Sequence, residues 1–195
     1  MKLINYLNFN ECIGHSTLLY GETDTKKTLY TAKFVKFLLE EKKINPQEIS
    51  ILDFAPKLAV FKNLKIGGRI QDYYNESFKC KNFIFEGEII PPRLKAKNKS
   101  ELYKNMCSNY KITSKILNNF KDNPTDFLII NDISIYLHLG SKRYIIETIV
   151  GVNTFFGNSY YGTSIKSKFP TLLSINEKKK VNFLIKNIKN SYFTG

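Results

Sequence analysis

The sequence predicts an α/β fold, a three-layer sandwich with a mainly parallel central sheet, on three observations. First, short apolar runs of strand length alternate with longer segments whose apolar residues recur every three or four positions, which is the order of strands joined by crossover helices. Second, Phe127-Leu128-Ile129-Ile130 is an unbroken apolar run, as in a strand covered on both faces. Third, an eight-residue loop, Gly21 to Thr28, joins the first strand to the first helix.

Residues 1 to 15 are mixed and read as a short helix or turn. Thr17 to Tyr20 is the first buried strand, ended by Gly21. Lys27 to Lys42 reads as helix, because Leu29, Ala32, Val35, Leu38 and Leu39 form one apolar stripe. Asn45-Pro46 breaks it, and Glu48 to Phe54 is the second strand. Signals from Lys57 to Tyr74 are weak, with Gly67-Gly68-Arg69 a loop. Asn82 to Ile90 is rich in β-formers and is expected to be a strand with Gly87 as a candidate bulge, ended by Pro91-Pro92-Arg93. Asn98 and Glu101 have the spacing of a helix start, and the helix should reach Phe120. Phe127 to Asp132 is the strongest strand. A helical stretch follows Ser141, then candidate strands at Thr154 to Phe156 and Phe169 to Leu173, separated by a Tyr160-Tyr161-Gly162 loop. Ser174 to Glu177 reads as a capping box that opens a last helix burying Val181, Leu184, Ile185 and Ile188.

Size and composition set the class. The chain has 195 residues, 43% of them hydrophobic, enough for a single domain over residues 1–195 with a real core. No apolar run approaches the roughly 20 residues that span a bilayer. The first residues lack a signal peptide's apolar core, so a cytoplasmic protein without a membrane partner is expected. Cys12, Cys80 and Cys107 have no disulfide or zinc spacing, and His15 and His138 stand apart. The net charge of +13 is almost all lysine, since Arg69, Arg93 and Arg143 are the only arginines. Such a charge reads either as a solvated lysine surface or as a face for nucleic acid or another polyanion.

The loop carries the sharpest chemistry. Gly21-Glu22-Thr23-Asp24-Thr25-Lys26-Lys27-Thr28 fits G-x-x-x-x-G-K-[ST] except that Lys26 stands at the second glycine. In that pattern Gly21 permits the turn, Lys27 reaches the β- and γ-phosphates, and the Thr28 hydroxyl binds Mg²⁺. The second glycine allows close approach and a backbone conformation costly for other residues, so Lys26 is the departure that matters. Asp132, at the end of its strand, is the candidate second Mg²⁺ contact, with Ser134 just beyond. Asp53 ends the second strand and is a candidate base, or equally a cap for the loop at Pro56. Arg69, Arg93 and Arg143 are candidate γ-phosphate contacts. Tyr160, Tyr161 and Gly162, with Asn158 and Ser159, are candidates to flank a base or a nucleic-acid strand, or to pack under the sheet edge.

On Gly21, Lys27 and Thr28 and the Phe127 to Asp132 strand, the chain resembles the P-loop NTPase superfamily. GETDTKKT followed by LYTAKFVKFLLEE is similar to small archaeal ATP-binding proteins, whose more usual loop is GETDTGKT. The run ending in Asp132 before Ile-Ser-Ile resembles the RecA-like branch. The resemblance implies ATP and Mg²⁺ as cofactors and an ATP-binding protein, with Mg-dependent ATP hydrolysis as a candidate activity that the departure at Lys26 leaves open. Two alternatives remain: a kinase of a small molecule or polynucleotide with a lid in residues 57 to 100, and a non-catalytic relative that binds nucleic acid or protein through its basic surface. No N-K-x-D motif for guanine occurs, which favours ATP over GTP.

Overall fold

The computed structural model describes residues 2–61, 64–84, 87–163 and 171–195. Among them nine strands and seven α-helices follow in the order β1 Lys2–Leu3, β2 Ser16–Gly21, α1 Lys27–Lys36, β3 Ile49–Asp53, β4 Ala59–Phe61, β5 Leu64–Ile66, α2 Ile70–Tyr73, β6 Lys81–Asn82, α3 Pro92–Lys95, α4 Lys99–Asp122, β7 Phe127–Asn131, α5 Ile133–Leu137, α6 Lys142–Val150, β8 Thr154–Tyr160, α7 Thr171–Asn187 and β9 Asn190–Phe193. Seven strands form one sheet in the order β1-β9-β2-β8-β7-β3-β6, and every pairing in it is parallel. A small antiparallel hairpin, β4–β5, stands apart from it.

Side chains alternate across each strand and feed two cores. On one face Leu18, Tyr20, Leu52, Leu128, Ile130 and Phe155 pack under α4, α5, α6 and α7. On the other, Leu19, Ile49, Ile51, Ile129, Phe156 and Tyr192 pack against Phe34 and Val35 of α1 and Leu38 of the π-helical turn Phe37–Glu41 that continues it. Phe34 stacks on Phe156 at 4.3 Å between centroids and 17° between planes. The result is helices on both faces of a parallel sheet, as the unbroken apolar run of β7 requires. A β2-to-β8 pairing of six residues and a β3-to-β7 pairing of five fix the register at the centre. Among the described residues no helix is long and apolar enough to cross a membrane.

This order creates the crevice that matters. The chain leaves β2 for β3, with β8 and β7 lying between them, whereas from β8 it passes over β2 to reach β9. Connections that part in opposite directions open a gap beyond the carboxyl ends of β2 and β8, where parallel α/β sheets bind ligands.

Several expected elements differ. Asn82 to Ile90 is not a strand: pairing stops at Asn82, and residues 85 and 86 lie outside the described residues. The physical reason is that Asn109 of α4 takes over the pairing of Ile90, accepting from its N–H at 2.9 Å and donating to its carbonyl at 2.7 Å. The Ile90 backbone is thereby satisfied without a neighbouring strand, and the chain passes on into α3. Residues 171–173 of the expected Phe169 to Leu173 strand are helical, while 169 and 170 lie outside the described residues. The last helix therefore starts before Ser174, and Glu177 is no cap: its carboxylate is buried in ion pairs. β8 runs on to Tyr160 through Gly157. A Cβ on Gly157 would meet the Phe155 ring at 2.5 Å and the Ile130 carbonyl at 3.0 Å, so glycine serves close strand packing there rather than ending the strand. The segment after Lys57 holds the β4–β5 hairpin and α2, and β1 and β9 add a parallel edge.

Candidate functional site

Beyond the ends of β2, β3, β7 and β8 lies a cleft of about 310 Å³, within the size range of small-molecule sites. Thr23 to Leu29 line it, together with Ala55, Pro56 and Lys65 near the hairpin, Pro91 to Leu94 of the α3 segment, and Asp132, Ser134, His138, Asn158, Tyr160 and Glu177.

The β2–α1 loop forms one wall. Lys26, immediately before α1, sits at φ 62° and ψ 15°, and its carbonyl accepts from the Tyr30 N–H at 3.0 Å. That left-handed backbone costs an L-residue about 1–2 kcal/mol. A left-handed residue leading into a right-handed helix is also the backbone of an anion nest. Of the four non-glycine residues with positive φ among the described residues, Asp24, Lys26 and Asp132 line this one cleft. Strain of this kind collects at functional sites. Gly21 is needed for close approach: a Cβ would meet Thr194 Oγ1 at 2.4 Å and the Gly195 carbonyl at 2.6 Å. Lys27 folds into the loop, donating to the Glu22 carbonyl and, at 3.1 Å, to Thr25 Oγ1. Burial lowers its pKa to about 8, against the pull of Asp132, Glu22 and Asp24. Glu22 turns its carboxylate away to the Thr163 N–H. Thr23 donates to the Lys65 carbonyl at 3.3 Å, tying loop to hairpin.

The floor is a closed polar network. Thr28 Oγ1 donates to Asn131 Oδ1 at 3.2 Å, and Asn158 Nδ2 donates to the same oxygen at 2.8 Å. Asn131 Nδ2 donates to Asp53 Oδ1 at 2.8 Å and to the Gly68 carbonyl at 3.0 Å. Asn131 is fully buried with all four of these bonds made, so it is a rigid spacer between the loop and β3. Asp53 does not line the cleft. Its carboxylate also accepts from the Ala55 and Ile70 N–H groups, and burial raises its pKa to about 6 despite those donors. Asp132 does line the cleft; its backbone is left-handed, its N–H donates to Asn158 Oδ1 at 3.1 Å, and Oδ1 accepts from Ser134 at 2.5 Å. Burial raises its pKa, opposed by Ser134, His138 and Lys27.

A further wall is built by α3, the end of α5 and α7. Arg93 and His138 Nε2 share the Glu177 carboxylate, the latter at 3.3 Å, and all three side chains are at most 6% exposed. Burial pushes Glu177 up, but His138 and Arg93 outweigh it and its pKa lies below the usual carboxylate value. The Arg93 guanidinium lies 5.5 Å from the Tyr160 ring centroid. Among the described residues Arg93 Nε and His138 Nδ1 are buried without a hydrogen-bond partner, a condition that costs about 1–3 kcal/mol per group in a dry site.

The structure thus brings the loop residues Thr23 to Thr28 together with Asp132 and Ser134, and leaves Gly21, Glu22 and Asp53 as supports. Thr28 meets Asn131 rather than Asp132. Of the three arginines only Arg93 lines the cleft. Tyr161 packs edge-on against Tyr20, with centroids 5.6 Å apart. Sequence reasoning missed Asn131, His138 and Glu177 as site residues and gave Asn158 only as a neighbour of the Tyr160-Tyr161 loop. A signal existed for two of them: Asn158 follows Gly157 within an apolar run, and Asn131 closes another. No protein-family model matches the chain, and no curated protein matches it.

Proposed function

We propose that the chain is an ATP-binding protein of the P-loop NTPase superfamily, with residues 21–28 as its phosphate loop. The observation that carries this reading is the left-handed backbone of Lys26 at the start of α1, with Lys27 and Thr28 following it into the cleft. A non-glycine residue accepts the cost of that conformation where the loop must present its N–H groups to an anion. The oxygen donors suit Mg²⁺, which takes one or two side chains and otherwise water and phosphate oxygens. Thr28 Oγ1 and the Asp132 carboxylate would hold it, and it would neutralise charge on the phosphates. Lys27 reaches the phosphates once it leaves the Glu22 carbonyl. Asn131 and Asn158 fix Thr28 and Asp132 relative to each other. Asp53 acts by positioning Asn131. Hydrolysis is the activity proposed for this site. Thermal unfolding with Mg-ATP tests the binding. At a hundredfold excess over Kd, ligand stabilises by about 2.7 kcal/mol, a rise of about 5–11 °C for a chain of this size. Lys27→Ala should abolish the shift; no shift in the wild type overturns the reading.

A second reading, a polyanion partner such as nucleic acid, is favoured by one groove. Lys142, Arg143, Lys179 and Lys180 converge there with Gly140, Ser141 and Asn176, and among the described residues no acid lines it. Burial, and to a smaller extent the neighbouring Lys142, lower the Lys180 pKa, against the pull of Glu177. Nucleic-acid binding that weakens steeply with salt and is lost in Lys142→Glu/Lys179→Glu would support it, and indifference to both would remove it.

A further inference from the structure

We propose that Arg93 and His138, held on Glu177, form a phosphate-binding subsite in the cleft that is separate from the β2–α1 loop. Two groups converge on one carboxylate: Arg93 on Oε2, and His138 on Oε1 at 3.3 Å. Each keeps one buried nitrogen, Arg93 Nε and His138 Nδ1, with no partner among the described residues, and both residues line the cleft. Glu177 orients both groups and uses up the nearest negative charge, so the free nitrogens are left for an external ligand.

The chemistry of the two nitrogens selects that ligand. Arg93 Nε–H is a donor and needs an oxyanion. His138 Nε2 faces Glu177 at 3.3 Å, which leaves Nδ1, on the other side of the ring, to accept a proton from a ligand P–OH or, on the imidazolium, to donate to a P–O⁻. A singly protonated phosphate offers both a P–O⁻ and a P–OH on one tetrahedron. A carboxylate or sulfate offers no such proton near neutral pH. The subsite itself does not depend on nucleotide binding at the loop. Its placement as the seat of a second phosphate beside a nucleotide does rest on that reading.

Calorimetric titration of inorganic phosphate at pH 6.5 tests the subsite, first into the protein alone and then into protein saturated with Mg-ADP. Phosphate should bind in both cases. Arg93→Lys keeps a charge on Glu177 but deletes Nε–H, and should weaken phosphate at least tenfold. His138→Gln should do the same, and serves alone if Arg93→Lys fails to fold. Neither should change Mg-ADP affinity more than twofold. Lys27→Ala should lose Mg-ADP and keep phosphate. Sulfate should bind at least fivefold more weakly than phosphate. No phosphate binding, binding unchanged in the folded variants, or phosphate lost with Lys27→Ala would overturn the subsite. Sulfate as tight as phosphate would overturn the P–OH contact. If Mg-ADP fails to bind while phosphate still depends on Arg93 or His138, the loop reading fails and the subsite stands.

Discussion

Replacing Lys26 by glycine isolates the feature that makes the β2–α1 loop unusual. At φ 62° the lysine backbone is in the left-handed region, where an L-residue costs about 1–2 kcal/mol and glycine costs almost nothing. Glycine also gives the unfolded chain more freedom, which takes back about 0.4–1 kcal/mol. The Lys26 side chain is exposed, so little packing is lost. The balance favours Lys26→Gly by about 0.5–1 kcal/mol, or roughly 1–4 °C in Tm for a chain of this size. Lys26→Ala removes the same charge but keeps the Cβ, and should not gain. Scanning calorimetry of the three proteins, with Mg-ATP titrations alongside, reads both effects. Higher Tm in the glycine variant alone, with equal or tighter ATP binding, is the expected result. A glycine variant that melts lower than wild type, or an alanine variant that gains as much, would refute the strain argument.

Other predictions follow from named contacts. Asp53 has its pKa raised to about 6, so the stability it contributes is present in full below its unfolded value of 3.8 and is lost as pH rises through about 6. Asp53→Asn should flatten that part of the stability profile, and an unchanged slope in urea titrations between pH 4 and 6 would count against the burial of its carboxylate. Lys27, lowered to about 8, binds phosphate only when charged. Mg-ATP affinity should therefore fall from an apparent pKa at or above that value, and Lys27→Arg should bind without the fall if it binds at all. Asn109→Ala strips both hydrogen bonds from Ile90 and should cost about 1–3 kcal/mol in urea unfolding at unchanged m-value. Glu177→Gln leaves Arg93 without its counter-charge in a buried site and should cost about 3–5 kcal/mol, read by the same assay.

The legible parts of the fold were those written in local periodicity. The apolar run of β7, the stripe of α1 and the N-cap of α4 at Asn98 were readable because burial and capping leave a repeating pattern. The β4–β5 hairpin, α2 and β9 are short and mixed, and only tertiary neighbours make them regular. The expected strand to Ile90 failed because its apolar residues answer to the Asn109 amide on α4, a long-range partner. Asn109 itself gave a sign, as a polar residue on the stripe that buries Leu102, Met106 and Ile112. At the site, the loop was visible as a contiguous motif. The Arg93–His138–Glu177 cluster was not, because its members come from three elements and Glu177 also fitted a capping pattern. Asn131 was overlooked beside Asp132 because a carboxylate is the expected end of such a strand.

The most direct measurement is the backbone amide spectrum of ¹⁵N-labelled protein titrated with Mg-ATP. Saturable shifts concentrated in residues 22–28, absent in Lys27→Ala under identical conditions, are the expected result. Saturable shifts elsewhere with residues 22–28 unmoved, or shifts in that loop that persist without the Lys27 ammonium, would contradict ATP binding at this loop.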